Sequence, residues 1–174
     1  TDEEKNRKDL VQFIPAHYGD KAPDVTGCDV VIVDFSYPRA TLLKMREEAA
    51  NIVVIDHHKN AEELSDLDFV RFDASKSGAV LAWEWVNGNG PSLKYKKMPK
   101  LLAYLQDRDL WHWKLPKSRE ISAAIRSYPL DFELWASWAR DDNKLMALAA
   151  DGEAIFRYQQ KEIRKIVEGG DTGR

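Results

Sequence analysis

Val30-Val31-Ile32-Val33-Asp34 and Ile52-Val53-Val54-Ile55-Asp56-His57-His58 decide how this sequence is read. Each is a run of β-branched residues that ends in a carboxylate. Such side chains are stiff at χ1 and suit a pleated strand. Neither run alternates with polar residues, so both faces of each strand are expected to be covered, as in a parallel sheet. Between them, Arg39 to Ala50 carries Leu42, Leu43, Met45, Ala49 and Ala50 among strong helix formers. Strand, helix, strand is the pattern of a βαβ unit. In open α/β sheets ligands collect beyond the carboxyl ends of the strands. Asp34 and Asp56 are therefore expected near one another at one sheet edge, with His57 and His58 following directly.

Upstream, Thr1 to Asp9 is almost all polar or charged and reads as a mobile lead-in. Val11-Gln12-Phe13-Ile14 is a short strand candidate stopped by Pro15, and Gly19 to Gly27 reads as a loop. Downstream, Asp68 to Asp73 alternates apolar and polar residues, which predicts a more exposed strand. Ser75-Lys76-Ser77-Gly78 leads into a predicted helix over Ala79 to Val86. Asn87 to Pro91 is a turn-rich break and Leu93 to Lys100 a basic loop. Helices are predicted over Leu101 to Leu110, Glu120 to Arg126, Phe132 to Arg140 and Leu145 to Val167, with Pro116 and Pro129 as breaks. The expected class is α/β: a Rossmann-like parallel sheet flanked by helices, with a helical C-terminal part ending in a long linker-type helix. Residues 10–145 would form the α/β domain and residues 146–174 the linker helix.

A chain of 174 residues can bury a normal core without staples. Lys plus Arg is 26 and Asp plus Glu is 29, a formal net charge of −3. That balance argues against a protein that clamps duplex DNA through many phosphates. The one cysteine, Cys28, excludes a disulfide scaffold and a thiolate zinc cluster. A reducing, cytoplasmic setting is expected, with Cys28 as a small core residue. The longest apolar run is far too short to span a membrane, so no membrane partner is expected.

Asp56, His57 and His58 put a carboxylate and two imidazoles at a strand end. Asp34 adds a second carboxylate from the neighbouring strand. Mixed oxygen and nitrogen donors suit Mn²⁺, Mg²⁺ or Zn²⁺. Bound cations would also relieve the repulsion between packed carboxylates. The plainer reading is a polar strand end that meets solvent. Gln106-Asp107-Arg108-Asp109 is a further carboxylate source, or else a solvated helix end. Ser75 to Gly78 offers free N–H groups at a helix start, a natural phosphate site that Gly78 lets a ligand approach. Ser75 or Ser77 can equally serve as a plain N-cap, and the two roles are compatible. There are six tryptophans. Trp111 and Trp113 flank His112 and could stack bases, although core or interface packing is the simpler use. Trp83 and Trp85 cannot both face one core, whereas Trp135 and Trp138 share a helix face. Lys94, Lys96, Lys97 and Lys100, with Tyr95, read as a solvated loop that could touch an anion. His17 and His112 read as surface or packed residues.

Taken in order, Val33-Asp34, Ile55-Asp56-His57-His58 and Leu105-Gln106-Asp107 resemble the DHH phosphoesterases. That superfamily includes single-strand exonucleases, nano-RNases, cyclic-dinucleotide phosphodiesterases, exopolyphosphatases and family II inorganic pyrophosphatases. Ile32 to Pro38 and Asp107-Arg108-Asp109-Leu110-Trp111 resemble an oligoribonuclease-like or exopolyphosphatase-like branch. The resemblance runs from about Val11 to the last helix. It implies hydrolysis of a phosphodiester or phosphoanhydride with two divalent ions, Mn²⁺ or Mg²⁺. It implies that Asp34 bridges the metals, that His57 ligates one, and that Asp107 is the last metal carboxylate, with Asp109 as the alternative. It implies that Asp56 orients the His57 ring, and that His58 contacts the substrate phosphate or serves as acid to the leaving group. Ser77 and Gly78 would face the phosphate. A short oligonucleotide is the implied substrate, with polyphosphate or pyrophosphate as the rival, and a homodimer is compatible with it. Two departures stand out. The family's first motif, a strand ending in His or Asn plus aspartates, does not precede Val11. Its C-terminal accessory domain with a Gly-rich loop does not follow the last helix. The chain is therefore expected to be an internal piece of a longer product holding part of the metal site. The alternative of another class is a catalytically incomplete binding or regulatory module on the same fold.

Overall fold

The computed structural model describes residues 11–89 and 97–169. The lead-in Thr1 to Asp9 and, from the basic loop, Lys94, Tyr95 and Lys96 lie outside the described residues. The chain forms two compact units that divide between Arg71 and Phe72.

The first unit is built on the two β-branched runs. They form β1 (Asp29–Val33) and β2 (Asn51–Asp56), joined by α1 (Arg39–Glu48). β1 and β2 pair in parallel, in register from Asp29 opposite Asn51 to Val33 opposite Ile55. A 3₁₀ helix (Lys59–Leu64) follows, then a short β3 (Val70–Phe72) at the unit boundary. The strand order is β1-β2-β3. The Val54 N–H donates to the Phe69 carbonyl at 2.9 Å. The α/β class is therefore present, and β2 is the central strand. Ile52, Val54 and Ile55 of β2 are buried together with Leu42 and Met45 of α1. The Arg39 guanidinium at the start of α1 donates to the Glu63 carbonyl at 2.6 Å and pairs with Asp66. That grip ties the helix entrance to the 3₁₀ segment.

Three expectations need correction here. β1 is an edge strand among the described residues, and its Val31 and Val33 are exposed rather than covered. Val11 to Ile14 is not a strand: Val11, Phe13 and Ile14 stand exposed, and the segment joins no sheet among the described residues, since apolar β-branched character alone does not make a ladder. Cys28 is exposed at the start of β1 and is not a core residue.

The second unit is helical: α2 (Gly78–Asn89), α3 (Lys100–Asp109), α4 (Ser118–Ser127), α5 (Phe132–Arg140) and α6 (Asp142–Gly169). Its core is read directly from helical spacing. Ile121, Ala124 and Ile125 line one stripe of α4 and meet Leu101 and Tyr104 of α3, Trp138 of α5, and Leu145 and Leu148 of α6. Trp135 packs against the same cluster, with its ring 6.0 Å from that of Trp138, as their shared face predicts. The segment expected as a linker thus begins inside this core. Only beyond it does α6 expose Tyr158, Ile163, Ile166 and Val167. Gly152 on α6 is buried where the helix crosses the backbone of Glu120 on α4. Among the described residues no helix is long and apolar enough to cross a membrane.

Helix α5 starts at a cap the sequence encodes locally. The Asp131 carboxylate accepts from the Leu134 N–H at 2.7 Å. Replacing Asp131 by Ala should lower the stability of the helical unit by about 1 kcal/mol. Urea unfolding followed by tryptophan emission measures it, and an unchanged midpoint would show the cap to be idle.

Candidate functional site

The C-terminal ends of β1 and β2 bring three of the expected groups together. One donor atom each from Asp34, His57 and His58 lies within 4.8 Å of the others. The His57 Nε2 is 3.1 Å from an Asp34 carboxylate oxygen. The two imidazoles lie side by side, with centroids 4.4 Å apart. His57 is mostly covered, while Asp34 and His58 are partly open to solvent.

Local chain geometry explains the convergence. Parallel pairing sets Val33 beside Ile55, so the residues after each strand emerge at the same end. Asp34 then takes a left-handed backbone conformation, φ 60°, while its N–H still donates to the Ile55 carbonyl at 2.8 Å. Aspartate visits that region more readily than most L residues, but the conformation is held by its surroundings rather than preferred. Beyond it Phe35 and Tyr37 turn inward and pack edge to face at 4.8 Å, which anchors the turn. A cavity of about 620 Å³ runs along β1, with Asp34 and Phe35 among its lining residues.

Asp56 is the buried organiser, at 0% exposure. One of its oxygens accepts from the His57 N–H at 2.7 Å, the His58 N–H at 3.1 Å and the His58 Nδ1 at 2.8 Å. The other accepts from the Ser36 hydroxyl. Burial pushes the Asp56 carboxyl up, but the Ser36 hydroxyl, the His58 and His57 N–H groups and the His58 ring outweigh it, and its pKa lies below the ordinary 3.8. Asp56 is therefore an anion that accepts from every side. An anionic acceptor requires a proton on His58 Nδ1, which in the neutral ring leaves the lone pair on Nε2. The expectation was that Asp56 would orient the His57 ring. In the structure its carboxylate grips the ring of His58, and it meets His57 through the backbone N–H. Ser36 was not expected; nothing in a hydroxyl three residues after a strand end marks it as a partner of a distant carboxylate.

This donor set fits a divalent cation. It offers one carboxylate oxygen and two imidazole nitrogens, borderline to hard ligands that suit Mn²⁺ or Zn²⁺ better than a soft-ligand metal. One of the imidazoles already gives its other ring N–H to a carboxylate, the usual backing of a metal-binding histidine.

The remaining expected residues lie in the second unit. Asp107, near the end of α3, is buried. Its carboxylate oxygens accept from the Lys114 N–H at 2.9 Å and the Leu115 N–H at 3.1 Å, and its backbone carbonyl accepts from the His112 and Trp113 N–H groups. Burial raises its pKa, but the neighbouring Ser118 hydroxyl and those two N–H groups lower it further. Asp107 thus organises residues 112–115 as a folded loop. Ser77, almost fully buried, accepts from the Val80 N–H at 3.3 Å, so the N-cap role is present, and its own N–H donates to the Gln106 side chain at 3.0 Å. Gly78 opens α2.

The chain is 31% identical over 167 residues to an uncharacterized protein of Acanthamoeba polyphaga mimivirus. That match takes in 94% of this chain but 37% of the viral protein. No family model matches the chain, and no solved structure matches it.

Proposed function

We propose that the chain carries the metal-binding part of a divalent-metal-dependent phosphoesterase of the DHH type, on a Rossmann-like sheet. The observation that supports this reading most directly is the meeting of Asp34, His57 and His58 within 4.8 Å at the sheet's carboxyl end, backed by buried Asp56. Asp34 and His57 would hold the cation. Bound there, Mn²⁺ or Mg²⁺ supplies Lewis-acid activation of water and of a phosphoryl oxygen. His58 has the chemistry of a proton carrier. The Asp56 carboxylate holds its Nδ1, which leaves Nε2 as the atom that would pass a proton to a leaving oxygen. Asp34 and His57 leave the remaining positions of one ion to water and substrate, and the resemblance assigns Asp107 to a second ion. The resemblance likewise assigns Ser77 and Gly78 to a substrate phosphate. The substrate class is a small phosphodiester or phosphoanhydride, with short oligonucleotides ahead of polyphosphate. A reducing, cytoplasmic setting belongs to the same reading.

Titration calorimetry with MnCl₂ tests it. The parent should bind Mn²⁺, and His57→Ala should bind at least about tenfold more weakly, since even supporting residues of metal sites cost about 10- to 100-fold. Manganese-dependent cleavage of a short RNA should fall with it. Absence of Mn²⁺ binding by the parent, or equal binding by His57→Ala, would overturn the metal centre. Binding without hydrolysis of RNA, pyrophosphate or polyphosphate would favour the regulatory-module reading.

A further inference from the structure

We propose that the second unit carries a binding groove for single-stranded oligonucleotide between α4, α6 and the loop organised by Asp107. This inference does not rest on the metal centre.

The groove has a volume of about 460 Å³, the size of a small-ligand site. Arg119 and Arg126 line it from α4, seven residues apart and so on one helix face. Phe156 and Gln159 line it from α6, and Trp111 and Trp113 from the loop. The tryptophans are placed unusually. Trp111 is 78% exposed, against the expectation that it packs. Both residues have left-handed backbones, φ 55° and 52°, which bulky side chains avoid. The loop is held in that form by the Arg108 carbonyl, which takes the Trp111 N–H, and by Asp107, which takes the four N–H groups that follow. Strain kept in place without a packing return at Trp111 points to presentation of the ring. The two rings meet edge to face at 5.6 Å, and with Trp111 78% exposed most of its ring stays open to a ligand.

The charges select the occupant. The Arg119 guanidinium lies over the Trp113 ring, 5.4 Å from its centre. Among the described residues, neither Arg119 nor Arg126 forms an ion pair with a carboxylate. The nearby Glu120 and Glu153 are instead paired with Lys117. Guanidiniums without a carboxylate partner among the described residues, beside the exposed indole of Trp111, match a ligand that alternates phosphates with flat rings. A base would stack on Trp111, and the adjoining phosphates would pair with Arg119 and Arg126.

Fluorescence anisotropy with a fluorescein-labelled five-nucleotide RNA or DNA, in EDTA, tests this. The parent should bind, and Trp111→Ala should weaken binding about 5- to 100-fold, the range of one base–aromatic stack. Trp111→Phe should recover most of it. Arg126→Gln should reduce the slope of log affinity against log salt by about 0.7, one phosphate contact on a single strand. EDTA keeps the metal centre out of the measurement, and Arg140→Gln, on the same unit but outside the groove, should bind as the parent does. No binding by the parent, or equal binding by Trp111→Ala, overturns the proposal. Loss of self-association in Trp111→Ala without any oligonucleotide binding would likewise overturn it, in favour of a protein contact.

Discussion

Gly152→Ala should disrupt the helical unit. A Cβ on Gly152 would sit 1.9 Å from the Glu120 carbonyl oxygen and 2.3 Å from its carbon. Those are backbone atoms of a neighbouring helix, so no side-chain rotation relieves the clash. Helices α4 and α6 would have to move apart, and the seam they share holds Ile121, Leu145 and Leu148. Inserting a methyl into a packed core usually costs about 1–3 kcal/mol, and rigid neighbours put this case at about 3 kcal/mol or above. Domains of this kind have only about 5–15 kcal/mol in hand. All six tryptophans lie beyond the unit boundary, so their emission reports this unit alone. Urea unfolding followed by that emission should show a much lower midpoint. An unchanged midpoint would mean that the two helices do not approach so closely.

Asp56→Ala should have an effect of similar size on the other unit. The substitution leaves the His57 and His58 N–H groups, the His58 ring and the Ser36 hydroxyl without their shared acceptor. A buried donor left unsatisfied costs about 1–3 kcal/mol, so a loss of about 3–5 kcal/mol is expected even if water reaches some of them. Tryptophan emission is blind to this unit; hydrogen exchange of the β2 amides is the readout. Ordinary protection of Val54 and Ile55 in the variant would defeat the claim. The pH dependence has a definite sign. The native carboxyl titrates below its ordinary 3.8, so its contribution is complete above that value and is lost as pH falls through the native one. The gap between parent and variant should therefore be wide near neutrality and close under strongly acid conditions.

The parts of the fold that were legible in advance are those set by local spacing. The β-branched runs became β1 and β2, the Arg39 segment became the helix between them, and Phe132 to Arg140 became α5 with the bounds its pattern suggests. The meeting of Asp34 with His57 followed from parallel pairing alone. What was hidden depends on partners far away in the chain. Val11 to Ile14 has the composition of a strand but joins no sheet among the described residues. Val31 and Val33 look like interior residues and lie on an edge. Asp107 reads as a carboxylate for an ion, yet its oxygens hold loop amides that no motif announces. The reason for a glycine at position 152 shows only where α6 crosses the backbone of Glu120. The pairing of Asp56 with the ring of His58 rather than His57 turns on side-chain rotation, which residue order does not encode.

The left-handed turn at Asp34 makes one codon answer to two selections at once. Glycine there would satisfy the backbone and forfeit the charge; glutamate would keep the charge on a frame ill suited to the bend. Asparagine alone among the common replacements suits the bend while keeping a neutral oxygen in place. A saturation library at this position would thus sort its survivors along two separate axes, conformational ease and anionic character.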